Sequence, residues 1–334
     1  MASNSQTELV SNDSYKPHVI RTAADVRQEG LHTVYVSDIK TVGDDIRIIH
    51  LKLPFDSPPI HHKAGQWLDV HIPGVQEIGG FTITSPPSAA ILAPLNSHPY
   101  LELAVQKSPS NPPAAFLWRP IPEIKNAELQ VRVGGNFVWP PPKLSSQEVS
   151  SIKRAVFIAG GVGINPLMSM ISALSESSSW PRTVRIFYSI RLPTSSHQDP
   201  NDSNKLTVTP TRSLGSILFF TRLNSLVRDA KAWDSEGVND IKFKLLVTGS
   251  STTKGARLSE DMAGSLTPSL ADVVYGRRIQ WEEIREAIGG DNEEEKKDAV
   301  VYVCGPRDMT DEIVQGLKEK EGMGEERVLC EKWW

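Results

Sequence analysis

At residues 139–151, "WPPPKLSSQEVSS", the apolar patterning of this chain changes period, and that change limits the folds open to it more than any other feature. Upstream, "LHTVYVSDI", "IRIIHLKL", "QWLDVHIP", "GGFTITS", "YLELAVQK" and "ELQVRVGG" are short β-rich runs punctuated by Pro, Gly, Asp and Ser. Several alternate apolar with polar residues, the period of half-buried antiparallel strands. Six such runs predict a small β-barrel or sandwich. Downstream, strand-like "RAVFIA", "TVRIFYSI", "IKFKLLVTGS" and "AVVYVCGP" alternate with helix-like "PLMSMISALSE", "ILFFTRLNSLVRDA", "WEEIREAI" and "MTDEIVQGLKEK". Leu167, Met170, Ile171 and Leu174 make one helical stripe. That alternation predicts a parallel sheet with helices on both faces.

The expected fold class is therefore two-domain: an N-terminal antiparallel β-barrel, then a C-terminal α/β domain with a parallel sheet. A length of 334 residues fits two domains. The expected boundaries are a disordered tail at 1–28, a barrel at 29–143, a linker at 144–152 and the α/β domain at 153–334. Polar, Pro/Ser/Thr-rich residues 193–213 interrupt the alternation and read as a disordered surface insertion.

Composition removes several function classes. A net charge of −4 with no basic stripe points away from nucleic acid. No apolar run is long enough to span a bilayer, so no integral membrane segment is expected. The polar start has no apolar h-region and does not read as a secretory signal. Cys304 and Cys330 lack CxxC spacing, which suits a reducing compartment and leaves no zinc site. His50, His61 and His62 form no ligand spacing, so no metal is expected.

"FIAGGVGINP", residues 157–166, is a strand running into a glycine-rich turn and a helix. Gly161 and Gly163 permit backbone conformations that other residues resist, and they let a diphosphate approach closely. The following helix offers unpaired N–H groups and the positive end of its dipole. Asn165 reads as the N-cap and Pro166 as a first-turn residue. The spacing GGxGxxP meets the dinucleotide fingerprint only in half, and such turns also serve as tight connections. "VYVCGPRDMTDEIV" at 301–314 repeats the pattern with Gly305 and Pro306. Two such strand ends would share the carboxyl edge of one sheet, where open α/β sheets bind ligands.

"AGGVGINPLMSM" and "VYVCGP" resemble the nicotinamide-binding half of the ferredoxin–NADP⁺ reductase superfamily, and "AGQWLDVHIPG" with "GGFTITSPP" resembles its flavin-binding barrel. With the ending "LCEKWW", the motif order is similar to a narrower branch, the oxidoreductase NAD-binding domain-containing protein family. The resemblance covers about residues 18–334 apart from the insertion. It implies a flavin-dependent NAD(P)H oxidoreductase using FAD rather than FMN, with an electron acceptor, protein or small molecule, that the sequence does not name. It implies a mitochondrial or cytoplasmic location.

The superfamily's Arg-x-Tyr-Ser/Thr flavin motif falls on Gly79, Gly80, Phe81 and Thr82, followed by Ile83 and Thr84. The aromatic and the hydroxyl are kept in kind, and Thr82 would orient flavin N5. The Arg that contacts the diphosphate is replaced by Gly79, which has no guanidinium to offer. Lys107 and a helix opening at Pro113, Ala114 and Ala115 are the expected substitutes, the other reading being that this helix only caps the barrel. In the second half, the resemblance implies that Gly160, Gly161, Val162, Gly163, Ile164, Asn165 and Pro166 line the nucleotide diphosphate. Ser189 and Arg191 would approach the adenosine ribose; Arg191 also reads as an ordinary solvated charge. Cys304, Gly305, Pro306 and Met309 would lie beside the nicotinamide, Cys304 otherwise being a small buried residue. Trp333 and Trp334 would either cover the flavin or close a sheet edge. The competing function is a flavin-free NAD(P)(H)-binding sensor or assembly protein, which the loss of Arg at Gly79 favours.

Overall fold

The computed structural model describes residues 17–91, 98–192, 194–199, 202–210, 213–234, 237–248 and 271–332. Strand formation in the first half follows the period-two pattern. Val34 and Val36 in β1 (His32–Val42), Ile49 and Leu51 in β2 (Ile46–Lys52), and Leu68 and Val70 in β3 (Trp67–His71) are wholly buried at alternate positions. β4 (Gly79–Thr82), β5 (Tyr100–Gln106) and β6 (Glu128–Gly134) complete an antiparallel sheet of order β4-β3-β6-β1-β2-β5. An Ile83–Leu103 bridge and a bond from Thr84 N to Glu102 O at 2.8 Å join its two edge strands, so the sheet closes into a barrel. Helices α2 (Pro112–Leu117) and α3 (Ile121–Ile124) connect β5 to β6, and Ala114 and Leu117 of α2 add to the barrel core.

Residues 17–28 are not the disordered tail that their polarity suggested. Helix α1 (His18–Arg21) and the segment after it lie along the outer face of the barrel. Gln28 N donates to Val133 O at 2.9 Å, and Gly135 N donates to Val26 O at 3.0 Å. The physical reason is Asp69, which has no exposed surface. His18 Nε2 lies 3.1 Å from its Oδ1, while Arg27 Nε and Arg132 Nη2 donate to Oδ2 at 2.9 and 2.7 Å. Burial alone would raise this carboxyl, but the bonds from His18, Arg27 and Arg132 hold it well below the usual carboxylate range. Residues 1–16 of the expected tail lie outside the described residues.

The expected linker also folds. Ser145 and Glu148 form a capping box that starts α4 (Ser146–Ser150). The second half is a six-stranded parallel sheet of order β12-β11-β8-β7-β13-β14. Its strands are β7 (Arg154–Gly160), β8 (Thr183–Arg191), β11 (Asp240–Thr248), β12 (Asp272–Tyr275), β13 (Ala299–Cys304) and β14 (Val328–Glu331). Ala155, Phe157 and Ala159 of β7 face one core, shared with α5 (Ile164–Ser177) and α6 (Phe220–Trp233). Val156 and Ile158 face the other, shared with α7 (Trp281–Ala287) and α9 (Arg307–Glu319). A short helix α8 (Glu293–Lys297) leads into β13. The polar insertion, expected to lack regular structure, contains an antiparallel ribbon of β9 (Thr194–Asp199) and β10 (Asp202–Pro210). The consecutive β-branched residues of "TVT" at 207–209 suit that pairing.

Candidate functional site

From β7 the chain moves outward through β8 and β11 to β12, then returns to place β13 on the other side of β7. The carboxyl ends of β7 and β13 therefore form the point where strand order reverses, the usual ligand crevice of an open α/β sheet. Both glycine-bearing motifs end there, with Ala159 in register with Cys304.

Each glycine has its own reason. Gly161 adopts φ +55°, is exposed, and a Cβ added to it would have no heavy atom within 4 Å. It is required by conformation and faces open space. Gly163 is required by packing: a Cβ there would collide with the Cys304 carbonyl and lie 2.8 Å from Gly305 N. A Cβ on Gly160 would sit 2.5 Å from Pro306 Cδ and 3.0 Å from Met309 Cε. The two strand ends touch through glycine backbone, leaving Gly161 and Val162 as the accessible crest. The N–H groups opening this turn have no partner within it. A phosphate-sized anion fits that arrangement.

Asn165 is not the N-cap. The turn begins α5 earlier, with Gly163 at the cap, and Asn165 is the second helical residue. Its Nδ2 donates to Ala104 O of the barrel at 3.0 Å, and its buried Oδ1 has no partner. Ile164 and Pro166 are buried beneath the turn. Cys304 has no exposed surface, so here the residue packs the strand end and does not line the crevice. Ser189 ends half-buried opposite Gly160, and Arg191 is exposed at the tip of β8 beside Thr248. Trp333 and Trp334 lie outside the described residues.

The barrel-side residues are arranged differently from the expectation. Gly79 is buried, and a Cβ there would collide with the Phe81 ring and lie 2.7 Å from Pro113 Cβ. Phe81 is thus folded over its own strand, in the space where the family's Arg side chain would begin. Gly80 is covered on the opposite face by the His18 ring. Thr82 is 5% exposed and pairs in register with Trp67, while Ile83 and Thr84 are wholly buried. The Thr84 hydroxyl donates to Glu102 Oε1 at 2.7 Å.

The opening of α2 offers no donor to an anion. Pro112 and Pro113 have no N–H. Ala114 N is taken by the Asn111 side chain at 3.1 Å, and Ala115 N by Asn111 O at 2.8 Å. Lys107 lies 5.5 Å over the Trp118 ring. The adjoining cavity, of about 510 Å³, is lined by Pro112, Ala115, Phe116 and the loop at 74–77; its charged residues are Arg119 and Glu77. The expectation that Lys107, Pro113, Ala114 and Ala115 replace the missing Arg is therefore not met, because proline chemistry and the Asn111 cap remove the donors. A tightly held flavin diphosphate does not fit this side of the barrel.

A seam that sequence reading missed joins the halves. Glu102 of β5, 2% exposed, receives both Arg222 Nη atoms of α6 at 2.7 Å. His50 Nε2 lies 3.2 Å from the same carboxylate. Burial pushes this carboxyl up, but the bonds from Arg222, His50 and Thr84 overcome it and hold it at about 2. Ser169 Oγ donates to Ser85 O at 2.7 Å, and Tyr302 Oη donates to Val138 O at 2.8 Å. Among the described residues, no cluster of His, Cys, Asp or Glu could hold a metal, and no helix is long and apolar enough to cross a membrane.

No family model matches the chain. Among solved structures it is similar to the flavohem-like FAD/NAD-binding domain of nitric oxide dioxygenase from Vibrio cholerae, with a TM-score of 0.58 and 14% identity, covering 92% of this chain and 99% of that one. It is likewise similar to a ferredoxin–NADP⁺ reductase from Neisseria gonorrhoeae solved with bound FAD and NADP, with a TM-score of 0.56 and 13% identity, covering 91% and 99%. The barrel followed by a glycine-edged parallel sheet is thus the ferredoxin–NADP⁺ reductase fold. In sequence the chain is 31% identical to oxidoreductase NAD-binding domain-containing protein 1 of Bos taurus over 326 residues, 95% of this chain and 85% of that protein. By that likeness along nearly its whole length, the chain belongs to the oxidoreductase NAD-binding domain-containing protein 1 family.

Proposed function

We propose that the protein is an NAD(P)H-dependent flavin oxidoreductase. The observation that carries this reading is the reversal point between β7 and β13, where an open, positive-φ Gly161 heads a helix and the facing strand end is stripped to Gly305 and Pro306. Its relatives' oxidoreductase name and the fold support the reaction class.

When bound, the nicotinamide supplies a hydride from its C4 carbon, and an oxidised flavin accepts it with one proton from solvent. The chain's own residues do the placing. The N–H groups of Gly161 and Val162, with the dipole of α5, would hold the nucleotide diphosphate. Ser189 and Arg191 stand at the next strand end, toward the ribose. Gly160, Gly305, Pro306 and Met309 form the wall on the β13 side. Thr82 is the barrel hydroxyl suited to the flavin ring. Glu102 and Arg222 fix the barrel against α6, so the distance between the two cofactor sites is set by the fold.

The test is an anaerobic titration of the purified protein with NADH and with NADPH, first alone and then with added flavin. Saturable nucleotide binding and stoichiometric loss of the oxidised flavin's absorbance bear out the reading. Nucleotide binding with no reduction of any flavin would overturn it.

A further inference from the structure

Resting on that reading, we propose that this protein takes its flavin as a dissociable substrate, recognised through the isoalloxazine and ribityl portions and indifferent to the phosphates. Three positions that would hold a flavin diphosphate in this barrel each carry a feature that prevents it. The first, at the start of β4, is Gly79, whose missing side chain is a packing requirement: Phe81 and Pro113 occupy the space an Arg would need. The second is the opening of α2. Pro112 and Pro113 supply no N–H, and Asn111 takes both Ala114 N and Ala115 N. The third is Lys107, whose ammonium lies over Trp118, a ring it shares with Arg47 at 4.6 Å.

The cavity between α2 and the loop at 74–77 adds nothing for a dianion. Its Arg119 stacks 4.9 Å over the Phe116 ring, and Glu77 lines the same cavity with the opposite charge. Charge-assisted hydrogen bonds to a guanidinium and to helix N–H groups are what distinguish a phosphorylated flavin from riboflavin. With those donors removed, extending the flavin from riboflavin to FMN to FAD adds charge that meets no partner. The nucleotide turn at Gly161 keeps its donors, so phosphate recognition is confined to the nicotinamide half. The protein would bind two ligands, one by its phosphates and one without them.

The test is equilibrium binding of riboflavin, FMN and FAD to the purified full chain, followed by quenching of flavin fluorescence, together with flavin content after desalting. The expected result is three Kd values within about fivefold of one another and no flavin retained through the column. FAD bound at least about a hundredfold more tightly than riboflavin, or purified in equimolar amount, overturns the proposal while leaving an NAD(P)H-dependent flavin oxidoreductase intact. Absence of binding by all three flavins, with nucleotide binding retained, overturns both and is distinguished by that pattern.

Discussion

The turn after β7 and the turn before α2 are both junctions leading into a helix, and both were assigned to phosphates from sequence. At the first, Gly161 turns through φ +55° with open space around it, and Gly161 and Val162 head the turn that leads into α5. At the second, two prolines and an Asn cap leave nothing to donate. A helix start can receive a phosphate only where donors are left free, and Pro112-Pro113 with the Asn111 cap remove them from the opening of α2. The difference also shows why losing one Arg at Gly79 matters: no neighbouring group compensates for it.

The largest effect should come from closing the first junction on itself. Gly163→Ala places a Cβ against the Cys304 carbonyl, a backbone atom that cannot turn aside, and should cost about 3 kcal/mol in urea unfolding. Gly161→Ala, in open space, should cost about 1 kcal/mol, through its positive φ alone. Equal losses would mean that the two glycines are not separated into packing and conformation as described.

Acid tests the brace that holds the two junctions in place. Folded Glu102 titrates at about 2, below its ordinary value of 4.5, so stability it contributes is complete above 4.5 and is lost as pH falls toward 2. The loss should be about 2 kcal/mol, discounted because Arg222 is partly exposed. Glu102→Gln should be less stable at neutral pH and flatter between pH 4.5 and 2. A variant with the wild-type slope in that window would remove Glu102 from the account.

Charge sharpens the comparison without disturbing the fold. Gly161→Asp tolerates positive φ and points a carboxylate at the incoming diphosphate. Nucleotide affinity should fall at least about tenfold relative to Gly161→Asn, or about 1.4 kcal/mol. The smallest effect belongs to the second junction: Asn111→Ala should cost about 1 kcal/mol of stability and leave nucleotide affinity unchanged.

Much of this was legible because it was local. The change of period, the GGVG turn, the CGP strand end and the loss of Arg at Gly79 all depend on residues close in sequence. The Pro112-Pro113 pair was equally visible, and its missing N–H groups were the signal that α2 could not receive an anion. The capping box of Ser145 and Glu148 was likewise written in the supposed linker. What was not legible depends on partners far apart. Nothing near His18 announces that Asp69 will bind it, and nothing near Arg222 announces Glu102. Asn165 has the chemistry of a cap, yet the glycine turn starts the helix before it and turns its amide toward Ala104.

The register that pairs Arg154 with Ala299 has a consequence for how the molecule is made. The barrel's strands, and Gly134 and Gly135 to which its N-terminal strap bonds, are all synthesised before β7 begins. β7, by contrast, leaves the ribosome with one edge that β8 can soon pair and one that waits for β13. Until then its apolar residues and backbone groups on that side face whatever the cell offers, the condition in which parallel sheets misassemble or engage chaperones. The glycine turn is therefore the last part of the chain to gain its second wall, and a nascent chain stopped after β12 carries all the strands of the barrel beside a half-built crevice.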